Sequence, residues 1–212
     1  VISFLRGTAM VITLLLLEGC LGGRLVLQSP SAARPGLVAP PANTPDSHRW
    51  RVHLNRGGKD STFTVLIERN AGNGFMVAAL NDMGGTVFQA TTAEDGSQGA
   101  IQRNNLHMPD PVLARTWVQD ALLAFLAQPP EEAKQYVLKN GRTALIAHRS
   151  RGSACAYVLR ERDGALDEFL RLRHHYITYR ARFITPGKPF QGGYTITCYR
   201  PRYTAVYRPL GP

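Results

Sequence analysis

The side chains able to do chemistry are few. Six histidines and three cysteines stand among 25 Lys+Arg and 15 Asp+Glu in a chain of 212 residues. His174-His175 could ligate a metal, and His48, His53, His107 and His148 complete the set. Adjacent residues of a strand point to opposite faces, so one site would take only one of that pair. No His-x-x-x-His helix or Cys/His spacing joins them, and neither metal nor cofactor is expected. Ser61 and Ser153 lack a Gly-x-Ser-x-Gly context. Arg151-Gly152-Ser153 is followed by no helix, which a phosphate loop requires. No catalytic residue emerges, and the chain does not read as an enzyme. Cys155 and Cys198 both fall on expected strands, where a disulfide and two buried free thiols are alternative outcomes.

The remaining chemical signal is charge. The net charge is +10, a value that suggests nucleic acid, a membrane surface or acidic ligands. Residues 1–140 hold 12 Lys+Arg against 11 Asp+Glu, whereas residues 141–212 hold 13 against 4. The imbalance therefore belongs to the last third. There Arg171-Leu172-Arg173 and Tyr179-Arg180-Ala181-Arg182-Phe183 alternate basic with apolar residues. Such alternation predicts that Arg171, Arg173, Arg180 and Arg182 share one face of a sheet. A solvated outer face and a surface for phosphate-bearing lipid headgroups or an acidic partner both fit.

Composition bounds the rest. With 44% hydrophobic and 19% charged residues, the chain is neither disordered throughout nor a collagen-like repeat. Its length suits one domain with appendages. Three cysteines are too few for a disulfide framework or a four-cysteine zinc ribbon.

The elements that must position these residues are mostly strands. Trp50, Val52 and Leu54 alternate with polar neighbours, as do Phe63, Val65 and Ile67. Turns at 56–60, 70–74 and 81–85 separate these from runs at 75–80 and 86–91. Asp110-Pro111 reads as an N-cap with proline at the first helical position, and Pro129-Pro130 as a stop. Between them Val112, Leu113, Trp117, Val118, Ala121, Leu122, Phe125 and Leu126 recur at helical spacing. Strands resume at Tyr136 and continue to Tyr207, with Asn140-Gly141 and Asp163-Gly164 turns. About ten strands and one or two helices predict a curved antiparallel sheet able to enclose a cavity.

At the N-terminus, Arg6 precedes the apolar run Met10-Val11-Ile12-Thr13-Leu14-Leu15-Leu16-Leu17. The run falls short of the about 20 residues a bilayer span needs and reads as a secretory signal over residues 1–19. Leu17-Glu18-Gly19-Cys20 resembles a bacterial lipobox, with Glu18 where a small or apolar residue is usual. That resemblance implies that Cys20 is acylated and becomes the first residue. Leu21 follows it, not aspartate, which implies the outer membrane. Acyl chains would anchor firmly, each buried methylene contributing about 0.8 kcal/mol. Residues 20–47, with Pro30, Pro35, Pro40, Pro41 and Pro45, read as a tether without secondary structure. Residues 48–212 form the domain. An exported chain does not ordinarily meet nucleic acid, so none is expected as partner.

The lipobox, the Pro-rich tether, the meander and the single mid-chain helix together resemble the LolA/LolB family of lipoprotein carriers. The local match is Met76-Val77-Ala78-Ala79-Leu80-Asn81-Asp82-Met83-Gly84-Gly85-Thr86-Val87-Phe88, similar to the family's protruding-loop hairpin, with Asp82 replacing a proline. The segment 115–126 and Gly193-Tyr194-Thr195-Ile196-Thr197 look closer to LolB-like lipoproteins encoded with aryl polyene biosynthesis enzymes. The resemblance covers roughly residues 49–200. It implies a mainly β fold, an antiparallel half-open β-barrel with a lid helix around residues 110–127. It implies a monomeric, periplasm-facing outer-membrane lipoprotein that binds acyl or other hydrophobic chains and helps localise or insert lipoproteins or lipids. A periplasmic lipoprotein carrier and outer-membrane lipids are the partners it suggests. An aryl-polyene lipid and a structural role without cargo are the alternatives. Met83 would take the place of the membrane-inserting residue. Phe63, Val65, Ile67, Val77, Trp117, Val118, Leu122, Phe125 and Tyr176 would line the cavity.

Overall fold

A computed structural model describes residues 23–30, 45–70, 72, 74–97, 99–105 and 111–211. The expected signal, Cys20, His107 and the Asp110 cap lie outside the described residues. Strands β1 (Leu27–Pro30), β2 (Ser47–Arg56), β3 (Lys59–Arg69), β4 (Phe75–Leu80), β5 (Thr86–Thr92) and β6 (Ile101–Asn104) come first. Two helices follow, α1 (Pro111–Ala121) and α2 (Leu123–Leu126). The chain then runs through β7 (Lys134–Leu138), β8 (Thr143–Ser150), β9 (Ser153–Leu159), β10 (Leu166–Arg173) and β11 (Tyr176–Phe183). It ends with α3 (Pro189–Gly192), β12 (Tyr194–Tyr199) and β13 (Arg202–Pro209).

All thirteen strands belong to one sheet, in the order β1-β7-β8-β9-β10-β11-β12-β13-β2-β3-β4-β5-β6. Every neighbouring pair is antiparallel, and among the described residues β1 and β6 stand at the two ends of the order. The fold is the expected mainly β, half-open arrangement with a helix over its concave face. Its curl is visible in Asp95 and Arg149, which line one cavity although β5 and β8 lie towards opposite ends of the strand order.

Side-chain alternation sends one set of residues inward. Trp50 and Val52 of β2, Val65 and Ile67 of β3, Phe75 and Val77 of β4, and Phe88 of β5 are buried with Tyr194, Ile196, Tyr203 and Tyr207. The concave face must be covered because those apolar positions repeat at period two on β2–β5, β12 and β13. Residues 117–126 supply the cover: Trp117, Val118, Ala121, Leu122, Leu123 and Phe125 are buried against it. Trp117 meets Phe88 edge-on with ring centres 5.1 Å apart, and Phe125 meets Phe75 at 5.2 Å. Aromatic pairs of this geometry add about 0.5–1.5 kcal/mol beyond their buried area.

A second apolar cluster occupies the convex face of β7–β11. Leu138, Ile146, Val158, Leu170, Leu172 and Ile177 are buried there, with Leu25 and Leu27 packed against them. Burial on both faces explains why β9 is buried without interruption from Ala154 to Leu159. Leu25 and Leu27 belong to the stretch expected to be a structureless tether. Instead Leu25 N–H donates to His175 C=O at 2.9 Å, and Ile177 N–H donates to Gly23 C=O at 2.9 Å. Residues 27–30 then pair with β7 as its outer neighbour. This pairing joins residues more than a hundred positions apart, so local composition carries no trace of it.

The fold also places the histidine pair and decides between the two alternatives for the cysteines. His174 and His175 sit in the β10–β11 turn with φ of 49° and 69°, not on a strand. Cys155 and Cys198 are both free and buried. The pairs Cys155–Arg171, Arg171–Tyr179 and Tyr179–Cys198 place them in one row across β9, β10, β11 and β12. Three strand spacings of about 4.8 Å separate them, beyond the roughly 7 Å limit for a disulfide.

Candidate functional site

The concave face is held to its helix by a polar node set in apolar surroundings. Asp120, near the end of α1, is fully buried. Tyr203 of β13 donates its hydroxyl hydrogen to Asp120 Oδ2. Tyr194 of β12 donates to the carbonyls of Asp120 and Ala121 at 2.7 and 3.1 Å. Those carbonyls lie where α1 breaks at Leu122, so the phenol satisfies acceptors that the helix end leaves open. The Tyr179 hydroxyl lies beside the same carboxyl without reaching hydrogen-bond geometry. Burial pushes the Asp120 carboxyl up to about 6, with the Arg171 charge and the Tyr203 bond pulling the other way. Burial pushes the phenols of Tyr179, Tyr194, Tyr203 and Tyr207 far upward, so all four stay neutral.

Beside this node the sheet and the helices part. A cavity of about 390 Å³ lies between Gln119 of α1, Leu123 and Leu126 of α2, and β8–β10. Its apolar wall is Leu123, Leu126, Ala154, Cys155 and Phe169. Its polar wall is Arg149, Ser153 and Arg171, with Asp95 from the loop after β5. Gly96 of that loop presses on α2: a Cβ there would lie 2.4 Å from Leu126 Cδ1. Arg171 stacks over Tyr179, its Cζ 4.6 Å from the ring centre, and over Phe169 at 5.9 Å.

The expected cavity residues are distributed differently. Val65, Ile67, Val77, Trp117, Val118, Leu122 and Phe125 are buried together on the concave side, with Phe63 packed against them. They fill that part of the half-barrel with one another, and the open space lies on the side of the same helical segment that carries Gln119, Leu123 and Leu126. Tyr176 is not among them. It is 38% exposed at the start of β11 and pairs with Arg24. Sequence reasoning missed Arg149, Arg171, Gln119 and Leu126 as lining, because the contact between the β5 loop and β8 is set by the curl of the sheet.

The four arginines expected on one face divide between two. Arg180 is opposite Leu170 and Arg182 opposite Glu168, whereas Arg171 is opposite Tyr179. Arg171 therefore points into the concavity, and Arg180 and Arg182 to the convex side. Alternation held within each strand, but the one-residue register between β10 and β11 reversed the faces. On the convex side Glu168 takes Arg142 Nη1 at 3.0 Å and Arg182 Nη2 at 3.1 Å, with Arg180 Nε at 3.6 Å. Arg142 also pairs with Asp167. Arg173 is exposed at the end of β10.

Met83 stands at the tip of the β4–β5 turn and is 93% exposed. The turn is rigidly built. Asn81 Oδ1 accepts the N–H groups of Met83 and Gly85 at 3.1 and 2.8 Å, and Gly84 adopts φ of 78°. Asp82 pairs with Arg51 at 2.8 Å. The side chain of Met83 is thus held outward by backbone geometry.

Among the described residues no cluster of three or more His, Cys, Asp or Glu is arranged to hold a metal ion. None of the described helices is long and apolar enough to cross a membrane.

No family model and no curated protein matches this chain. Among solved structures it is similar to a LolA superfamily protein from Nitrosomonas europaea, at 8% identity and a TM-score of 0.44. It is also similar to a domain from Vibrio parahaemolyticus named for outer membrane lipoprotein sorting, at 7% identity and a TM-score of 0.39. A DUF1329 family protein from Desulfovibrio piger is a third, at 10% identity and a TM-score of 0.36. Each likeness covers 78% of this chain and 83% of the other.

Proposed function

We propose that this protein is a noncatalytic binder of acyl or other apolar chains, anchored to the outer membrane through Cys20 and working on its periplasmic side. The observation that carries the reading is the cavity of about 390 Å³ between α2 and β8–β10. Ligand pockets span roughly 300–1,000 Å³ and are concave, mostly apolar and equipped with a few placed polar groups. The wall of Leu123, Leu126, Cys155 and Phe169 supplies apolar area, and the short α2 is the element that would yield to admit a chain. Burial of each methylene is worth about 0.8 kcal/mol, so a chain of ordinary length can drive entry by itself. Lipoprotein or lipid delivery to the membrane is the role this binding would serve.

The test is direct. Purified protein incubated with vesicles containing radiolabelled acyl chains is expected to leave with about one chain bound, a single pocket of this size holding one. Gln119→Trp, which fills the cavity from α1 without touching the Asp120 node, is expected to remove most of that label while circular dichroism stays unchanged. A wild-type protein that carries no label above a control protein would sink the reading.

Met83 supports a delivery step at a membrane. An apolar side chain held at the tip of a rigid turn can enter the headgroup layer without rearrangement. Met83→Glu is expected to slow chain transfer to vesicles by roughly 10-fold, because placing a carboxylate at that depth costs about 1–3 kcal/mol more than a thioether. Chain binding should be unaffected. Transfer at the wild-type rate would remove Met83 from the mechanism.

A further inference from the structure

We propose that the cavity beneath α2 receives the acidic head of a single-chain amphiphile, a carboxylate or a phosphate, and that Arg171 is the residue that binds it. The inference rests on the chain-binding reading above and narrows it to a class of ligand.

Arg171 differs from the arginines that pair with carboxylates in lying inside the concavity. Arg142, Arg180 and Arg182 converge on Glu168, and Arg160 holds Asp163 through Nε at 2.9 Å. Arg51 holds Asp82. Arg171 instead projects into the concavity and, among the described residues, donates no hydrogen bond and has no carboxylate within 4.0 Å. Its guanidinium lies over the rings of Tyr179 and Phe169, which fix its plane and leave its N–H edges unengaged. A guanidinium offers five donors and stays charged at any ordinary pH. Arg171 is half-buried beside the cavity without an acceptor, and an anionic oxygen there would supply one.

The other charges near the cavity are consistent with this. Arg149 lies on the same polar wall, close to the hydroxyl of Tyr157. Asp95 is the acid in the lining, and its Oδ1 already accepts the Ser97 N–H at 2.8 Å. Asp120 is electrostatically coupled to Arg171 but is engaged by Tyr203 under α1 and does not line the cavity. The helical side of the cavity presents Leu123 and Leu126, so a bound molecule needs a head for Arg171 and a tail for the apolar side. The volume lies at the small end of the range for ligand sites, which suits one chain and not a lipid with several.

The experiment is calorimetric titration of the purified full chain with decanol, decanoate and decyl phosphate, which share a tail and differ in the head. Both acids are expected to bind about 10-fold or more tightly than the alcohol, the usual gain for hydrogen bonds to a charged group. Tighter binding of decanoate points to a free fatty acid, and of decyl phosphate to a phosphate-headed lipid. Arg171→Gln is expected to abolish the preference and to keep the affinity for decanol within about 2-fold. Arg149→Gln, further from any aromatic clamp, is expected to reduce the preference only in part. Equal affinity of wild type for acid and alcohol would overturn the proposal while leaving chain binding intact. A preference that survives Arg171→Gln would also overturn it. Failure of all three probes to bind would overturn both readings. The comparison of heads on wild type requires no variant, so a misfolded Arg171→Gln protein does not rescue the idea.

Discussion

The Asp120→Asn variant is expected to lose most of the wild-type change in stability between pH 4 and pH 7. Burial raises the Asp120 carboxyl from 3.8 to about 6 in the folded state. The folded protein therefore holds this proton more tightly than the unfolded chain does. The stabilisation is fully present below the unfolded value and is lost as pH rises through 6. Above that pH the protein carries a buried carboxylate whose Oδ1 meets no donor. The difference between 3.8 and about 6 corresponds to about 3 kcal/mol. Asparagine keeps an acceptor for the Tyr203 hydroxyl and carries no charge, so it resembles the protonated acid. Urea unfolding at pH 4, 5, 6 and 7.5 checks this. Wild type should gain stability on acidification to pH 4, and the variant should be nearly flat and more stable than wild type at pH 7.5. A wild-type profile that is level or falls across this window would show that the carboxyl is not held as described.

Glu168→Ala is expected to destabilise the protein by about 2–3 kcal/mol at neutral pH. Breaking a fully buried pair costs roughly 3–5 kcal/mol, and a discount applies because Arg180 and Arg182 keep substantial contact with water. Glu168 is itself only 6% exposed. Burial pushes its carboxyl up, but the Arg142 hydrogen bond and the charges of Arg180, Arg142 and Arg182 outweigh that and hold it below its ordinary value. Without it the guanidinium groups of Arg180 and Arg182 on β11 and of Arg142 in the β7–β8 turn are left facing one another. The sign with pH is opposite to that of Asp120: the contribution of Glu168 is present above the ordinary glutamate value and is lost as pH falls through its lowered one. Chemical denaturation of the two proteins at pH 7.5 measures the difference. A variant as stable as wild type would mean that the arginines are hydrated individually and that the cluster does not hold β10 to β11.

These two carboxylates show what could and could not be read from residues in order. Period-two alternation from Trp50 to Ile67 and again from Tyr194 to Tyr207 identified strands and their buried faces. Proline at residues 111, 129 and 130 bounded the helical segment closely. Glu168 carried no sequence signal, because its three arginines come from one other strand, β11, and from the β7–β8 turn. Asp120 looked like a residue on the polar side of an amphipathic helix. Only the sheet beneath it, bringing Tyr194 and Tyr203 from more than seventy positions away, made it a buried node.

Residue order was enough for the mainly antiparallel architecture, the helix across it and the turn that carries Met83. Each of these depends on spacing within a short stretch: two residues for a strand, three and four for a helix, four for a turn. The tertiary structure alone decided which arginine faces inward, where the cavity lies and that Gly23–Pro30 straps the convex face. Those depend on the register between strands and on the curl of the sheet. A shift of one residue reverses every face, and the curl sets the Asp95 loop against Arg149. Arg171 and Arg180 are of one residue type in similar alternating surroundings. One stacks on Tyr179 on the concave side and the other is a partner of Glu168, and only the pairing of β10 with β11 separates them.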